Sequence, residues 1–382
     1  MTRSIVFLCA AAALCLAPSA FAQEAAAPPT VSLNAFNFAG GMIEASQRAA
    51  TRPLRIDKAR VATIVVATTE DVSITLGLPD GSIIGAEKAP RDGISWQSFK
   101  GRDGPPPLEL PGFGSGFNTL ITVASPQSGS YALNLTRKSD NGAVIPFVAT
   151  VIMDSDLRLG LWVHSTRVLL GEPFALNAIL LDGEKPAANA EVQAVVMRLP
   201  ADESTLAERI GEQALADDGR QGVDARAGDG VFSGVITPRS AGMLQIAVRA
   251  RGRSAAGADF ERDSGLAVVV SEPKVQIALK PVPPTPSDRL TPLIVPVELK
   301  GEPGDYDVVV ELRGAKTNTA SVSEAQSVKL AGAANVNIVF PAERLAMVGP
   351  DRSYAVVSVN AYEVTKDDRI LRGRLIVPPT RP

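Results

Sequence analysis

Cysteine is almost absent from this chain. The 382 residues contain two cysteines, Cys9 and Cys15, and both lie in the first 22 residues. We predict below that these residues are removed, so the mature chain would contain no thiol. That prediction excludes a disulfide framework, a cysteine-ligated zinc site and a cysteine nucleophile. The mature protein must then be held together by burial of apolar surface.

Histidine, aromatic residues and basic runs are also scarce. His164 is the one histidine, aromatic residues make up 5% of the chain, and the formal net charge is −3. A single histidine excludes a His-rich metal centre. The absence of a long basic run argues against nucleic acid or an anionic membrane surface as the partner.

The N-terminal residues have the pattern of an export signal. Arg3 supplies a positive start, residues 5–16 are apolar, and Ala20-Phe21-Ala22 fits the small-x-small rule for cleavage before Gln23. The apolar run is too short to span a bilayer, and Pro18 argues against the alternative of an uncleaved anchor helix. We therefore expect a periplasmic or secreted protein.

The rest of the chain has the periodicity of β-strands. Apolar and polar residues alternate over 72–78, 244–248 and 306–312, and turn residues separate such runs. The sequence predicts an all-β protein with three tandem β-sandwich, immunoglobulin-like domains after a cleaved signal peptide. The predicted divisions are a signal peptide at 1–22, a leader at 23–29 and domains at 30–156, 157–272 and 273–382.

Residues 203–216 are ambiguous between helix and strand. Their glutamates have helical spacing, at Glu203, Glu208 and Glu212. The segment also leads directly into a turn rich in aspartate and glycine, as a hairpin strand does. We therefore predict strand and loop here, with helix as the alternative.

The Asp-rich loop at 217–234 is the most unusual segment of the chain. It contains Asp217, Asp218, Asp224 and Asp229 among five glycines. Aspartate caps backbone amides and glycine accepts positive φ, so a tight turn without metal explains the composition. The same carboxylates are ligands that Ca²⁺ prefers, although the spacing is not that of an EF-hand. Both interpretations stay open from the sequence.

This loop resembles a motif in immunoglobulin-like domains of exported bacterial choice-of-anchor X proteins, and it is similar to one in calcium-activated chloride channel regulators. The similar residues are Asp217-Asp218-Gly219, Asp224 and Ala227-Gly228-Asp229-Gly230-Val231-Phe232-Ser233-Gly234, followed by Pro238, Gly242, residues 244–248 and Phe260-Glu261-Arg262. The resemblance implies an immunoglobulin-like fold for the middle third. The channel regulators also carry a metalloprotease domain with a His-Glu-x-x-His motif. A chain with one histidine lacks that domain, so no protease activity is implied.

Signals for catalysis are weak. His164 lacks a nucleophile elbow elsewhere in the chain, so we interpret it as a surface or structural residue. Trp96, Phe99, Phe113 and Phe117 surround a long loop at 101–116 and suggest either a stacking platform or a cover for the sandwich core. We therefore expect a non-catalytic exported protein with a protein or glycan partner, in binding, adhesion or envelope assembly. The alternative is a secreted hydrolase or a carbohydrate-binding accessory protein.

Overall fold

The computed structural model describes residues 31–88, 93–100, 116–139, 141–187, 189–199, 207–220, 224, 226–281, 291–314, 321–348, 354–366 and 368–377. The predicted signal peptide and leader lie outside the described residues, as do positions 101–115 of the long loop. The predictions for those segments are therefore untested.

The described residues form strands and one short helix. The first nine strands are β1 Phe36–Ile43, β2 Ala49–Ile56, β3 Val61–Thr68, β4 Val72–Gly77, β5 Ile83–Gly85, β6 Ile94–Lys100, β7 Phe117–Ala124, β8 Gly129–Arg137 and β9 Ile145–Met153. The next nine are β10 Leu157–Val163, β11 Arg167–Leu169, β12 Phe174–Asp182, β13 Lys185–Pro186, β14 Ala190–Arg198, β15 Glu208–Leu215, β16 Val231–Ile236, β17 Gly242–Arg253 and β18 Asp259–Ser271. The last group is β19 Val275–Leu279, β20 Leu293–Gly301, β21 Gly304–Gly314, β22 Ser321–Leu330, β23 Ala333–Phe340, α1 Ala342–Ala346, β24 Tyr354–Val364 and β25 Arg369–Ile376.

These elements enclose three separate apolar cores. The buried residues of the cores fall between positions 35 and 153, 157 and 270, and 275 and 361. We call the three units domain 1, domain 2 and domain 3. Each has sheets on both sides of its core, and their strands pair antiparallel except for the parallel pair β11 and β18 in domain 2. The all-β, sandwich architecture expected from the periodicity is confirmed.

One sheet runs through two of the domains. Its strand order is β15-β14-β17-β18-β1-β9-β3-β7-β6, so the β15-to-β18 half belongs to domain 2 and the β1-to-β6 half to domain 1. The opposing layers are β2-β8-β4-β5 in domain 1 and β10-β12-β13 in domain 2, where β16 pairs with β12. Domain 3 packs β19-β20-β23 against β22-β21-β24-β25.

The alternating pattern places side chains as the sequence predicts. In β21 the side chains of Tyr306, Val308, Val310 and Leu312 are all buried in the core of domain 3. The residues between them point to the other face of the sheet, because successive strand residues alternate in direction. This strand is where the prediction from the sequence is most complete.

Domains 1 and 3 share a tyrosine corner. Tyr131 Oη donates a hydrogen bond to the Gln127 carbonyl at 2.9 Å, and Tyr306 Oη donates to the Glu302 carbonyl at 3.1 Å. In each case the acceptor lies four residues upstream of the tyrosine. Such a corner fixes the entry of a sandwich strand, as in immunoglobulin-like domains.

The ambiguous segment before the Asp-rich loop is a strand where it is described. Residues 208–215 form β15, which pairs with β14 from Val192↔Leu215 to Arg198↔Glu208. The strand prediction is thus confirmed for these positions, and residues 203–206 lie outside the described part. The two described glutamates of this segment, Glu208 and Glu212, lie at exposed positions of the edge strand β15.

Candidate cation site in the Asp-rich loop

The Asp-rich loop connects the two sheets of domain 2. It leaves β15 in one sheet and enters β16 in the other. Ala216 and Ser233 close its base, with Ala216 N to Ser233 O at 3.0 Å and Ser233 N to Ala216 O at 2.9 Å. The Gly230 carbonyl also accepts a hydrogen bond from Leu180 N at 3.0 Å. The loop is therefore fixed to the neighbouring strand β12 at its exit.

Asp217 ties the two ends of the loop together. Its Oδ1 accepts hydrogen bonds from Gly228 N at 2.6 Å and Asp229 N at 3.2 Å, and its Oδ2 accepts one from Gly230 N at 3.0 Å. Hydrogen bonds to an ionised acceptor are stronger than neutral ones. A single carboxylate thus holds three successive amides that lie eleven to thirteen residues downstream.

Asp224 is the buried carboxylate of the loop, with 6% of its surface exposed. Its Oδ2 accepts Gly219 N at 2.7 Å and its Oδ1 accepts Arg226 N at 3.2 Å. Gly219 has φ +70°, and a Cβ there would lie 2.9 Å from Ala227 N. Glycine adopts this φ without strain and has no Cβ to overlap Ala227, so the Gly219 backbone can approach Asp224 closely.

The remaining two aspartates make local turns. Asp229 Oδ1 accepts Val231 N at 3.0 Å, and Asp218 Oδ1 accepts Arg220 N at 3.0 Å. Each acceptor lies two residues before its donor, which is the geometry of an Asx turn. These bonds shape the chain locally and do not connect distant parts of the loop.

Three of the four predicted metal ligands converge. Carboxylate oxygens of Asp217, Asp224 and Asp229 all lie within 4.8 Å of one another, and Asp218 is not part of this group. The donors are hard oxygens, which suit Ca²⁺ rather than a metal that prefers nitrogen or sulfur. Three carboxylates supply part of the six to eight oxygens that Ca²⁺ takes, so carbonyls or water would have to supply the others.

The hydrogen bonds from backbone N–H groups give the carboxylates a function that needs no metal. Among the described residues, six backbone N–H groups of the loop and one of β16 point at these four side chains. A loop with so few strand bonds leaves its amides unpaired unless side chains accept them. The geometry is thus compatible with both interpretations of the loop, and it explains the aspartates as acceptors in either case.

The other described candidates from the sequence are spread over different elements, and Phe117 begins β7, paired with Lys100 of β6. His164 is exposed in the turn after β10, and the Ser165 hydroxyl beside it donates to the Arg167 carbonyl at 2.7 Å. Trp96 packs against the core of domain 1. Phe99 is three residues away on the same strand and therefore faces the other side of the sheet. Phe113 lies outside the described residues.

Sequence reasoning missed a buried ion pair between domains 1 and 2. The side chain of Arg262 is fully buried and its Nη2 donates to both oxygens of Asp57, each at 2.7 Å. Burial lowers the pKa of Arg262 from the ordinary value of arginine, against the opposing attraction of Asp57. Arg262 is part of the similar motif quoted above, but its partner lies 205 residues away and has no local signal.

Comparison with protein families gives one match. Residues 157–270 match the model of the second immunoglobulin-like domain of conditioned medium factor. The match covers domain 2, which contains the Asp-rich loop and Arg262. An immunoglobulin-like fold for this domain is therefore shown. Comparison with curated proteins gives no match.

Solved structures with low similarity cover larger parts of the chain. A DUF4785 family protein from Legionella pneumophila is 12% identical over 87% of this chain and 88% of that chain, with a TM-score of 0.48. The lipase BlEst2 from Bacillus licheniformis in its propeptide form is 14% identical, over 64% of this chain and 43% of that chain, with a TM-score of 0.38. A tetra-tandem repeat from the extending region of a large adhesion protein is 12% identical, covers 92% and 75%, and has a TM-score of 0.22. Similarities of this size carry no inference about activity or partner.

Within the described residues, no helix has the length and apolar character needed to cross a bilayer.

Replacing Asp217 should destabilise domain 2 more than replacing its neighbour Asp218. We expect Asp217→Ala to lower the free energy of unfolding by about 2–3 kcal/mol, because three amides lose a charged acceptor. Asp218→Ala should cost less than about 1 kcal/mol, because it accepts one local amide. Urea denaturation followed by far-UV circular dichroism measures both, and equal losses for the two variants would contradict the assignment.

Proposed function

We propose that this protein is a non-catalytic exported module that binds a protein or glycan partner in the cell envelope or outside the cell. Its role would be adhesion, recognition or support of an envelope assembly. The proposal starts from the immunoglobulin-like fold of domain 2. The resemblance of its Asp-rich loop to loops of exported choice-of-anchor X proteins supports export.

The observation that carries the proposal is how the buried ionisable groups are used. Catalytic acids and bases lie in clefts with free functional atoms and environments that tune them for reaction. In the described part of the chain, each buried charged side chain is bonded to a structural partner. These side chains are Asp57, Arg137, Asp224, Arg262, Asp263 and Asp307. They hold strands, loops and domain junctions together.

Arg137 illustrates this structural use. Its Nη2 donates to the carbonyls of Ile43 at 3.3 Å and Glu44 at 3.1 Å, and its Nη1 donates to Asn141 Oδ1 at 3.2 Å. The guanidinium thus closes the turn that follows β1 onto the end of β8. The Arg137 guanidinium therefore donates these hydrogen bonds to groups of its own domain.

The proposal is tested by binding and turnover measured on the same preparation. The mature chain is incubated with purified cell-wall polymer, outer-membrane vesicles and a glycan array, and with ester, glycoside and peptide substrates. We expect saturable binding to one of the surfaces and no product release above that of a heat-unfolded sample. Steady product release proportional to protein concentration would refute a non-catalytic function.

A carbohydrate-binding accessory protein is the second candidate, because Trp96 is partly exposed on the edge strand β6. The chain has two tryptophans, Trp96 and Trp162. A Trp162→Phe chain therefore reports on Trp96 alone. Saturable quenching of its fluorescence by an oligosaccharide, together with loss of Trp96→Ala binding to the same oligosaccharide immobilised on a surface, would support this candidate. An unchanged spectrum across the array would remove it.

We further propose that a cation bound by Asp217, Asp224 and Asp229 would be Ca²⁺ with a structural role. The oxygen-only donor set supports this choice of metal. Calorimetric titration with Ca²⁺ after EDTA treatment, with Mg²⁺ as the control ion, tests it. Heat of binding and a raised Tm with Ca²⁺, both lost in Asp224→Asn, would support the calcium site. No heat and no change in Tm would leave loop closure as the role of the carboxylates.

A further inference from the structure

The junction between domains 1 and 2 has an outer contact centred on Asp263. This carboxylate accepts Phe38 N at 2.7 Å, across the position where β1 of domain 1 joins β18 of domain 2. Arg249 donates to the two Asp263 oxygens at 2.6 and 3.0 Å and to the Phe38 carbonyl at 3.1 Å. The Asp263 side chain therefore extends the hydrogen bonding between β1 of domain 1 and β18 of domain 2.

The charge on Asp263 is costly to bury alone. Burial raises the pKa of Asp263, while the hydrogen bonds from Arg249 and Phe38 N act in the opposite direction. Arg249 comes from β17 in domain 2, but the Phe38 amide comes from domain 1. A domain 2 without its neighbour would lose one of the donors that stabilise this carboxylate.

The inner contact is centred on Arg262, the residue before Asp263. Besides Asp57, its guanidinium donates to Ser155 Oγ at 3.0 Å and to the Leu157 carbonyl at 2.8 Å. Successive residues of a strand point to opposite faces, so Arg262 and Asp263 contact domain 1 and its connection from both sides of β18. We call this pair of contacts the clamp.

An N-terminal strap forms a third contact across the same junction. Asn34, which precedes β1, exchanges two backbone hydrogen bonds with Leu159 of β10, at 3.0 and 2.8 Å. Gly160 lies under this strap, and a Cβ there would overlap Val31 and lie 2.9 Å from Leu33 Cδ2. The first described residues of the chain thus lie on domain 2 before the chain enters domain 1.

The junction between domains 2 and 3 is more open to water. Arg167 and Asp368 form a 3.1 Å ion pair whose side chains are 35% and 57% exposed. Arg374 donates to Glu172 at 3.1 Å, with exposures of 10% and 23%. Water competes for both charges of the exposed Arg167–Asp368 pair, so that pair contributes little. Arg374 also donates to the Arg167 carbonyl at 2.8 Å and to Ser165 Oγ at 3.3 Å, so the less exposed part of this junction lies around Arg374. In contrast, the side chains of Arg262 and Asp57 are 0% and 4% exposed.

We propose that domains 1 and 2 unfold as one cooperative unit held by the clamp, while domain 3 unfolds separately. Opening the first junction separates the Arg262 guanidinium from its counter-ion Asp57 and removes the Phe38 amide from Asp263. A buried charge that loses its counter-ion is strongly destabilising. Opening the second junction separates two ion pairs whose side chains are already 10% to 57% exposed. The family-matching segment 157–270 is therefore half of a larger folding unit in this protein.

Hydrogen exchange of the full chain tests the proposal through a substitution far from the clamp. Phe232 of β16 is buried in the core of domain 2, and Phe340 of β23 is buried in the core of domain 3. Phe232→Leu keeps an apolar side chain, so the chain should fold while its stability falls. We expect the slowest amides of β7 in domain 1 and β14 in domain 2 to exchange on the order of tenfold faster, by a common factor. Those of β21 in domain 3 should not change.

Phe340→Leu is the matched variant for domain 3. It should accelerate exchange in β21 and leave β7 and β14 as they are. Faster exchange of β14 with unchanged β7 in Phe232→Leu would overturn the coupling of domains 1 and 2. Acceleration of all three strands by either variant would overturn the separate unfolding of domain 3.

A third variant asks whether the clamp causes the coupling. In a chain carrying Asp57→Leu and Arg262→Met, both charges of the inner contact are replaced by apolar groups of related size. Adding Phe232→Leu to this chain should accelerate β14 more than β7. If the two strands still respond by the same factor, the inner contact is not the cause of the coupling.

Discussion

The Asp57→Ala chain should lose about 3–5 kcal/mol of the free energy of unfolding of domains 1 and 2, because it leaves a buried guanidinium without its counter-ion. Arg262 is fully buried, and Asp57 is the carboxylate that it contacts. The remaining acceptors are Ser155 Oγ and backbone carbonyls, which carry no full charge.

Chemical denaturation with hydrogen exchange as a domain-specific readout checks this expectation. Asp154→Ala is the matched control, because Asp154 forms an ion pair with Arg60 at 2.6 Å and the two side chains are 51% and 78% exposed. We expect little or no change for the control, since the pair is already in water. A comparable loss in both variants would show that burial of Arg262 is not the source of the effect.

The double variant Asp57→Leu with Arg262→Met separates the charge from the packing. Replacing both members of a buried ion pair by apolar residues is often neutral or stabilising. We therefore expect this chain to recover most of the stability that Asp57→Ala loses. A double variant as unstable as Asp57→Ala would mean that the shape of the guanidinium, rather than its unpaired charge, determines the stability of the junction.

The strands could be predicted from the sequence because the alternation of side-chain direction along a strand is a local property. Alternation over Val72, Ile74 and Leu76, or over Tyr306 to Leu312, assigns one face of each strand to a core without any knowledge of its partners. The same reasoning favoured strand and loop over helix for residues 203–216, because the chain turns immediately afterwards, and residues 208–215 form β15. These predictions needed only the period of side-chain direction and the chemistry of turns.

The junction between domains 1 and 2 could not be predicted in this way. The partners in the clamp are 205 residues apart for Arg262 and Asp57 and 225 for Asp263 and Phe38. A charged pair within an apolar strand is normally assigned to an exposed face, which is where most charges lie. Only the assembled sheet shows that β18 is covered on both sides.

The Asp-rich loop lies between these two cases. Its aspartates and glycines identified a special turn, and three of the four aspartates named from the sequence, Asp217, Asp224 and Asp229, lie close together in the structure. Which amide each carboxylate accepts depends on the path of the backbone between β15 and β16. Positive φ at Gly219, Gly228 and Gly230 determines that path, and the sequence indicates only that glycine permits it.

Gly301→Ala should destabilise domain 3 by about 3 kcal/mol, at the upper end of the cost of overpacking. Gly301 ends β20 and pairs with Val275 of β19. A Cβ at this position would overlap the Lys274 carbonyl oxygen and lie 2.9 Å from Val275 Cα. Backbone atoms cannot move aside as a side chain can, so the first strand of domain 3 would have to shift away from β20.

Gly211→Ala is the matched control for this substitution, because its Cβ would lie 3.9 Å from Val196 Cβ, at ordinary contact distance. It should change stability by less than about 0.5 kcal/mol. In Gly301→Ala the faster hydrogen exchange should be confined to β19 to β25, since domain 3 unfolds separately from the clamped pair. A loss of protection in β7 and β14 would contradict this expectation. It would mean that the displacement of the strand that begins at Val275 reaches β18 through residues 272–274. The junction between domains 2 and 3 would then be as rigid as the junction between domains 1 and 2.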